Sequence, residues 1–197
     1  MSGHAGNLVD KYAAPNPAAR ILVRRWRAAL RDLLAEAAPE SVLDVGCGEG
    51  ELTAEWAAGL PRTQVLGVDI ADVTRVSPAP NLAFRVIPPA PPLPFGDGAF
   101  DLVAAVESLE HMEDPEGALA EMARCGRRHL LVSVPREPLW RALNLARGAY
   151  VRRLGDTPGH LRHFSAGALR GLLRRHGAVV AERSPVPWTV ALVRLYS

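Results

Sequence analysis

The chain is short of cysteine and has no long apolar run. Its 197 residues include two cysteines, Cys47 and Cys125, whose spacing matches no metal site. The sequence therefore predicts a reduced, cytoplasmic protein. No stretch of eighteen apolar residues occurs, so no integral membrane segment is expected. The first residues also lack the basic start and apolar centre of a secretory signal.

The chain also lacks a strong excess of charge of one sign. The formal net charge is only +2, which argues against a nucleic-acid-binding protein. Positive charge is instead concentrated in residues 141–175, which contain eight arginines and one acid, Asp156. Such a segment can attract an anionic substrate or an anionic membrane surface, or it can be an ordinary solvated face. The sequence leaves these alternatives open, so peripheral membrane contact is retained as a hypothesis.

The most informative stretch runs from Ser41 to Gly50. Residues 41–45 form a short, largely apolar run with two β-branched valines, and Gly46, Gly48 and Gly50 then occupy every second position. A helical pattern follows. Glycines permit a sharp turn and let a ligand approach the backbone closely. The next helix offers unpaired N–H groups at its start. The pattern predicts a strand, a ligand-binding loop and a helix.

A second signal lies downstream, where a short apolar strand ends at Asp69, 19 residues after Gly50. In nucleotide-binding βαβ units, an acid at this position accepts hydrogen bonds from ribose hydroxyls. The dinucleotide fingerprint itself does not fit, because its third glycine would fall at Glu51. A nicotinamide enzyme is therefore disfavoured.

Strand-like and helical patterns alternate along the chain. Strands are predicted at 41–45, 64–69, 82–87, 100–106, 129–134, 178–184 and 190–196, and helices at 17–38, 52–58, 115–124, 139–147 and 164–176. Alternation of this kind predicts an α/β fold with a mostly parallel sheet, helices on both faces and an antiparallel C-terminal hairpin. We expect a single domain over 1–197, with an N-terminal lid or helix at 1–38 and a cofactor-binding core at 39–197.

Three blocks resemble class I S-adenosylmethionine-dependent methyltransferases of the small ubiquinone/menaquinone type. They are VLDVGCGEG at 42–50, GVDI at 67–70, and LPFGDGAFDLV at 93–103 followed by ESLEHM at 107–112. The resemblance spans residues 10–197. It implies a Rossmann-like seven-stranded sheet and S-adenosyl-L-methionine as the cofactor, and it is weak for the acceptor.

The resemblance also implies roles for particular residues. Asp44 would orient the glycine loop, and Asp69 would bind the ribose, with Ile70 against the adenine. The full set of cofactor-binding candidates is Tyr12, Asp44, Gly46, Cys47, Gly48, Asp69, Ile70 and Glu107. Cys47 is interpreted as a small loop residue rather than a nucleophile. The family's usual acid for the adenine amino group is replaced here by Pro88 or Pro89.

Residues after the fourth strand should lie at the ligand edge of the sheet. Glu107 or Glu110 could hold the cofactor's ammonium group there. His111 either faces the acceptor or only hydrogen-bonds a backbone carbonyl. Tyr12 and the helix starting at Pro17 would form part of a lid. Alternatively, Trp26 and its neighbouring leucines only pack on the sheet.

Methyl transfer needs alignment and, for a hydroxyl acceptor or an acidic carbon, a general base. The candidates are His111, His160 and His163, since imidazoles titrate near neutral pH. Arg136 and Arg162 are candidate ligands of an anionic or phenolic acceptor. The spacing of His160 and His163 also suggests a metal, but no third ligand is evident, so none is expected.

The sequence thus predicts a methyltransferase acting on the oxygen, nitrogen or carbon of a small-molecule or lipid-linked acceptor, as a monomer or homodimer. The alternative is a catalytically inactive methyltransferase-like partner protein. Methylation of nucleic acid is disfavoured, because enzymes that flip a base need an Asn- or Asp-Pro-Pro-type motif after the fourth strand. Residues 106–111 have no such motif.

Overall fold

The computed structural model describes residues 17–89, 92–146 and 148–196. Tyr12 and the rest of the predicted lid before Pro17 lie outside the described residues. Within them, seven strands are β1 Ser41–Val45, β2 Gln64–Asp69, β3 Leu82–Val86, β4 Phe100–Val106, β5 Gly126–Pro135, β6 Gly177–Arg183 and β7 Trp188–Leu195. The α-helices are α1 Pro17–Ala37, α2 Glu51–Gly59, α3 Pro115–Cys125, α4 Leu139–Ala146 and α5 Ala166–Leu173.

The strands form one sheet in the order β3-β2-β1-β4-β5-β7-β6. The first five are parallel to one another. β7 is inserted between β5 and β6 and runs antiparallel to both. This confirms the predicted Rossmann-like sheet with its antiparallel C-terminal hairpin. The carboxyl ends of the parallel strands meet at one edge, which is where ligands of open α/β folds bind.

The central strands are apolar because both faces of the sheet are covered by helices. Leu43, Leu102 and Leu131 have no exposed surface. On one face, α1 buries Trp26 and Leu30 against the sheet. The Trp26 indole donates a 2.9 Å hydrogen bond to the Ser133 hydroxyl in β5. The described part of α1 therefore packs on the sheet, as the second interpretation of this helix proposed.

Element boundaries differ from the sequence expectation mainly in the second half. α5 was predicted over 164–176 but spans only Ala166–Leu173. It starts there because the Ser165 side chain caps it by accepting a hydrogen bond from Ala168 N–H. β5 starts at Gly126 rather than residue 129. None of the helices in the described ranges has the length and apolarity needed to cross a bilayer.

Candidate active site

The glycine loop joins the end of β1 to α2 at the ligand edge. Gly46 N–H and Cys47 N–H both donate to the carbonyl of Val68, at 2.8 and 3.0 Å. Gly46 and Gly48 have φ values of +79° and +55°, which most side chains adopt only with strain. A Cβ on Gly46 would lie 2.6 Å from Ser108 Cβ, whereas one on Gly48 would meet no protein atom within 4 Å. The backbone at Gly48 is thus open to a ligand.

Asp44 lies buried beneath this loop. Its carboxylate accepts a 2.6 Å hydrogen bond from the Thr53 hydroxyl, tying β1 to α2. Burial raises the pKa of Asp44 to about 7, against the lowering effect of Thr53, and the nearby charge of Asp69 raises it further. These contacts are consistent with the loop-orienting role implied for Asp44.

The Cys47 side chain sits between the loop and β2. Burial, together with the charges of Asp44 and Asp69, raises the pKa of its thiol well above the usual range. The thiolate is the nucleophilic form of cysteine. A neutral, partly buried thiol accords with the interpretation of Cys47 as a space-filling residue.

Asp69, at the end of β2, is held in one orientation by the backbone. Its Oδ2 accepts from Gly48 N–H at 2.9 Å, and its Oδ1 accepts from Ile70 N–H at 2.7 Å. A carboxylate has about four acceptor positions, so capacity remains for ribose hydroxyls. A cleft of about 320 Å³ opens beside Asp69 and includes Phe84 and Arg85 in its lining. The Ile70 side chain is exposed, as a residue facing an adenine must be in the free protein.

Glu107 forms the turn directly after β4 and has a φ of +56°. Its N–H donates to the Ser133 carbonyl at 2.9 Å. Its carboxylate Oε2 accepts a 2.8 Å hydrogen bond from the Trp188 indole at the start of β7. The β5 contact therefore fixes the backbone of Glu107, and the β7 contact orients its carboxylate at the ligand edge.

A row of aromatic rings crosses the same edge. Trp26 stacks on Trp188 at 5.1 Å between ring centroids, and Trp140 of α4 lies 5.6 Å from Trp188. Trp140 is also 6.3 Å from the His160 ring, at a small interplanar angle. The His160 ring in turn meets His111 edge-to-face at 5.0 Å. These rings form a continuous wall beside Glu107.

His111 lies in a 3-10 turn, Leu109–His111, after β4. Its Nδ1 is 2.8 Å from the Gly159 carbonyl oxygen, and a carbonyl can only accept, so Nδ1 carries the proton. In the neutral ring, Nε2 then holds the lone pair. Hydrogen-bond donors and acceptors from Glu110, His111 and His160 lie within 4.8 Å of one another, although Glu110 and His160 are buried.

This trio was not predicted as a unit. The sequence paired His160 with His163 by spacing and found no third metal ligand, whereas the fold places Glu110 and His111 beside His160. Two imidazoles and a carboxylate suit proton transfer and are also donors that a divalent metal accepts. Glu110 and His111 closely follow the predicted fourth strand, whereas His160 lies in a loop between two predicted helices, so no sequence signal placed the three together.

The other predicted catalytic and acceptor-binding residues are His163, Arg162 and Arg136. His163 Nε2 is 2.7 Å from Asp156 Oδ1, so its ring is engaged by that carboxylate. The Arg162 guanidinium donates to the Glu113 carbonyl at 2.8 Å. Arg136 is half-buried and pairs through its backbone with Phe164. The structure therefore brings His111 and His160 together, and it gives His163 and Arg162 other contacts.

The described residues fit an S-adenosylmethionine-like ligand. The backbone at Gly48 is open, Asp69 keeps acceptor positions, and the Glu107 carboxylate lies at the same edge of the sheet. Pro88 and Pro89 occupy the positions where the resemblance implies an acid for the adenine amino group. The adenine would be held there by shape, backbone groups or water.

Residues 18–183 match the family described as Methyltransferase domain. The demethylmenaquinone methyltransferase of Thermus thermophilus is 33% identical over 157 residues, covering 75% of this chain and 71% of that protein. O-methyltransferase cnsE of Penicillium expansum is 41% identical over 100 residues, covering 46% of this chain and 36% of that protein. The chain thus spans about a third to seven tenths of these curated relatives' lengths.

Solved structures show the same fold at low identity. Magnesium protoporphyrin IX methyltransferase from Synechocystis, with bound S-adenosylhomocysteine, has a TM-score of 0.67 and 17% identity. The alignment covers 92% of this chain and 88% of that one. The 1,6-didemethyltoxoflavin-N1-methyltransferase of Burkholderia thailandensis has a TM-score of 0.57 at 21% identity, covering 89% and 81% of the two chains.

Proposed function

The chain belongs to the class I S-adenosylmethionine-dependent methyltransferases, and from this premise we propose that it methylates a hydroxyl on a small or lipid-linked acceptor with an apolar ring. The family membership confirms the resemblance noted in the sequence and the cofactor it implied. The acceptor and the methylated atom are the content of the proposal.

The cofactor supplies a methyl group that is activated by its sulfonium. Loss of that methyl group leaves S-adenosylhomocysteine, whose sulfur is a neutral thioether. In the proposed binding mode, Gly46 and Gly48 pass along its methionine portion and Asp69 accepts from its ribose hydroxyls. Glu107 pairs with its ammonium group, while Ile70 covers the adenine. Oriented carboxylates suit a ligand that carries cationic groups, since charge-assisted hydrogen bonds are stronger than neutral ones.

The chemistry requires an acceptor oxygen in line with the methyl group and a group that takes the hydroxyl proton. We propose that His111 Nε2 accepts the hydroxyl proton of the acceptor, because Nδ1 already donates its own proton to the Gly159 carbonyl. His160 packs against His111 and against Trp140, which holds both rings in place. As the oxygen bonds to the methyl carbon, the bond from that carbon to sulfur breaks, and the proton passes to His111.

The row of aromatic rings carries the proposal for an apolar acceptor ring. Trp140 is half-buried and stands between Trp188 and His160. An indole in this position offers a planar face on which an aromatic ring can stack. The relative from Thermus thermophilus is named for demethylmenaquinone, whose ring is of this kind, and the Penicillium relative is named an O-methyltransferase.

The proposal is tested by measuring S-adenosylhomocysteine formation with a panel of acceptors. The panel contains hydroquinones with and without an isoprenoid chain, simple phenols and anionic catechols, plus aliphatic alcohols and amines as controls. We expect turnover with ring hydroxyls and a preference for the apolar members. Cofactor binding without turnover on any acceptor would instead favour a catalytically inactive methyltransferase-like protein.

A further inference from the structure

Residues 139–146 and 148–155, called here the α4 unit, consist of α4 and the turns that fold back onto it. The Asn144 side-chain amide donates to the Gly155 carbonyl at 2.8 Å. Arg141 Nε donates to the Leu154 carbonyl at 3.3 Å, and Ala149 N–H donates to the Asn144 carbonyl at 2.8 Å. These contacts close the segment into one small folded unit attached to the active-site edge.

One side of the α4 unit forms part of the proposed acceptor site. Trp140 Nε1 donates to the Thr157 hydroxyl at 2.9 Å, while its ring belongs to the aromatic row. Asn144, one helical turn later, is only 3% exposed. Residues four apart share a helix face, so this face of α4 is directed inward.

The other side of the α4 unit exposes apolar side chains. Leu145, Val151 and Leu154 are 41%, 58% and 69% exposed. Leu154 has a φ of +51°, a backbone conformation that is unfavourable for a leucine. Glycine or asparagine adopts this conformation at less cost. Exposed apolar side chains that lie together are typical of an interaction surface.

Positive charge is concentrated in the sequence around these apolar side chains. Residues 141–162 contain five arginines and a single acid, Asp156, which is engaged by His163. Arg152 and Arg153 lie between Val151 and Leu154 in the chain and are exposed. Within the described residues, neither forms an ion pair. Apolar side chains interleaved with arginines complement an anionic bilayer, whose headgroups attract the arginines while its acyl region accepts the apolar groups.

We propose that the outer face of the α4 unit docks on an anionic lipid bilayer, so that an apolar acceptor reaches the site from the membrane. The lipid origin of the acceptor rests on the proposed function, but the docking surface does not. Because α4 contributes Trp140 to the site and Leu145 to the surface, docking would place the acceptor pocket close to the lipid.

The test is co-sedimentation of the full chain with vesicles of phosphatidylcholine alone or with about one third phosphatidylglycerol. We expect binding to the anionic vesicles and little to the neutral ones. An Arg152→Gln/Arg153→Gln variant should bind roughly 30-fold more weakly, at about fivefold per arginine near an anionic surface. Leu154→Asn, which suits the left-handed backbone, should weaken binding roughly tenfold by removing one apolar side chain.

Matched controls are Arg62→Gln and Val180→Ser, exposed positions outside the α4 unit, which should bind like the unaltered chain. Calorimetry with S-adenosylhomocysteine on every variant shows that folding and the cofactor site are retained. Failure to bind anionic vesicles, equal binding to neutral ones, or equal losses in the controls would overturn the proposal. Vesicle binding with no turnover on any acceptor would support the surface and count against the proposed function alone.

Discussion

The indole Nε1 of Trp188 donates a 2.8 Å hydrogen bond to Oε2 of Glu107, joining residues 81 positions apart. The bond connects the start of β7 to the turn after β4, where Glu107 holds a positive φ. A glutamate adopts this backbone conformation only where surrounding contacts hold it, and such residues cluster at functional sites. The contact thus fixes the Glu107 carboxylate against β7, at the carboxyl edge of the parallel strands.

Replacing Trp188 by Phe should keep the stacked ring and remove only this hydrogen bond. We expect S-adenosylhomocysteine to bind about tenfold more weakly by calorimetry, because a hydrogen bond to a charged group contributes about 1.5–3 kcal/mol. Trp26→Phe is the control, since it removes an indole bond to Ser133 and should affect stability rather than affinity. Equal affinities in the two variants would show that Glu107 does not depend on Trp188.

Gly46→Ala should destabilise the protein and weaken cofactor binding. The alanine would adopt φ +79° with its Cβ 2.6 Å from that of Ser108, and the left-handed conformation alone costs about 1–2 kcal/mol. Urea unfolding measures the loss. Adding Ser108→Gly should restore part of it by relieving the contact, whereas Gly59→Ala, with open space and no positive φ, should cost little. A Gly46→Ala variant as stable as the unaltered chain would contradict the packing described for the loop.

Asp44 should make stability depend on pH in an unusual direction. Its folded-state pKa of about 7 lies above its ordinary value of 3.8, so between these values the folded chain binds the proton that the unfolded chain has released. The contribution of Asp44 to the free energy of unfolding therefore falls as pH rises from about 4 to 7, by up to about 1.4 kcal/mol per unit. Above pH 7 it stays constant.

The measurement compares urea unfolding of the unaltered chain and Asp44→Asn at pH 5, 6, 7 and 8. The asparagine can still accept from Thr53 but does not titrate in this range. The difference in stability between the two proteins should move in favour of the variant up to about pH 7 and then level off. A difference that is the same at all four pH values would show that folding does not raise the pKa of Asp44.

His111→Gln should lower turnover by about 10²–10⁴-fold, the usual contribution of a positioned general base, and should leave S-adenosylhomocysteine binding unchanged. His163→Gln is the matched control, because that ring is engaged by Asp156, and it should keep most of the activity. The assay is repeated with EDTA. Loss of turnover in the chelator would assign the Glu110, His111 and His160 trio to a metal rather than to proton transfer.

Much of the fold could be predicted from the sequence, because buried parallel strands appear in it as short apolar runs. β1, β2 and β4 have the predicted boundaries. The prediction was poorer where structure depends on local turns and tertiary pairing. β5 starts three residues earlier because Gly126 and its neighbours extend the ladder toward β4. The 3-10 turn at Val151–Arg153 carries no hydrophobic period that the sequence would reveal.

Only the cofactor half of the candidate site rests on local sequence motifs. This half consists of two local motifs, in which the spacing along the chain determines how the side chains are arranged. They contain Asp44, Gly46, Gly48 and Asp69. The acceptor half is built from contacts between distant segments, such as Trp140 with Trp188 and His111 with Gly159. No local pattern encodes these pairs, so the sequence indicates His111 and His160 as separate candidate bases without predicting that their rings touch.

The central claim is that the chain binds S-adenosylmethionine through Asp69 and the glycine loop. The most direct test is calorimetric titration of the purified protein with S-adenosylmethionine and S-adenosylhomocysteine, alongside Asp69→Ala. We expect the unaltered chain to bind both ligands with micromolar affinity, and we expect Asp69→Ala to lose this binding. Absence of binding by the unaltered, folded protein, or equal binding by Asp69→Ala, would contradict it.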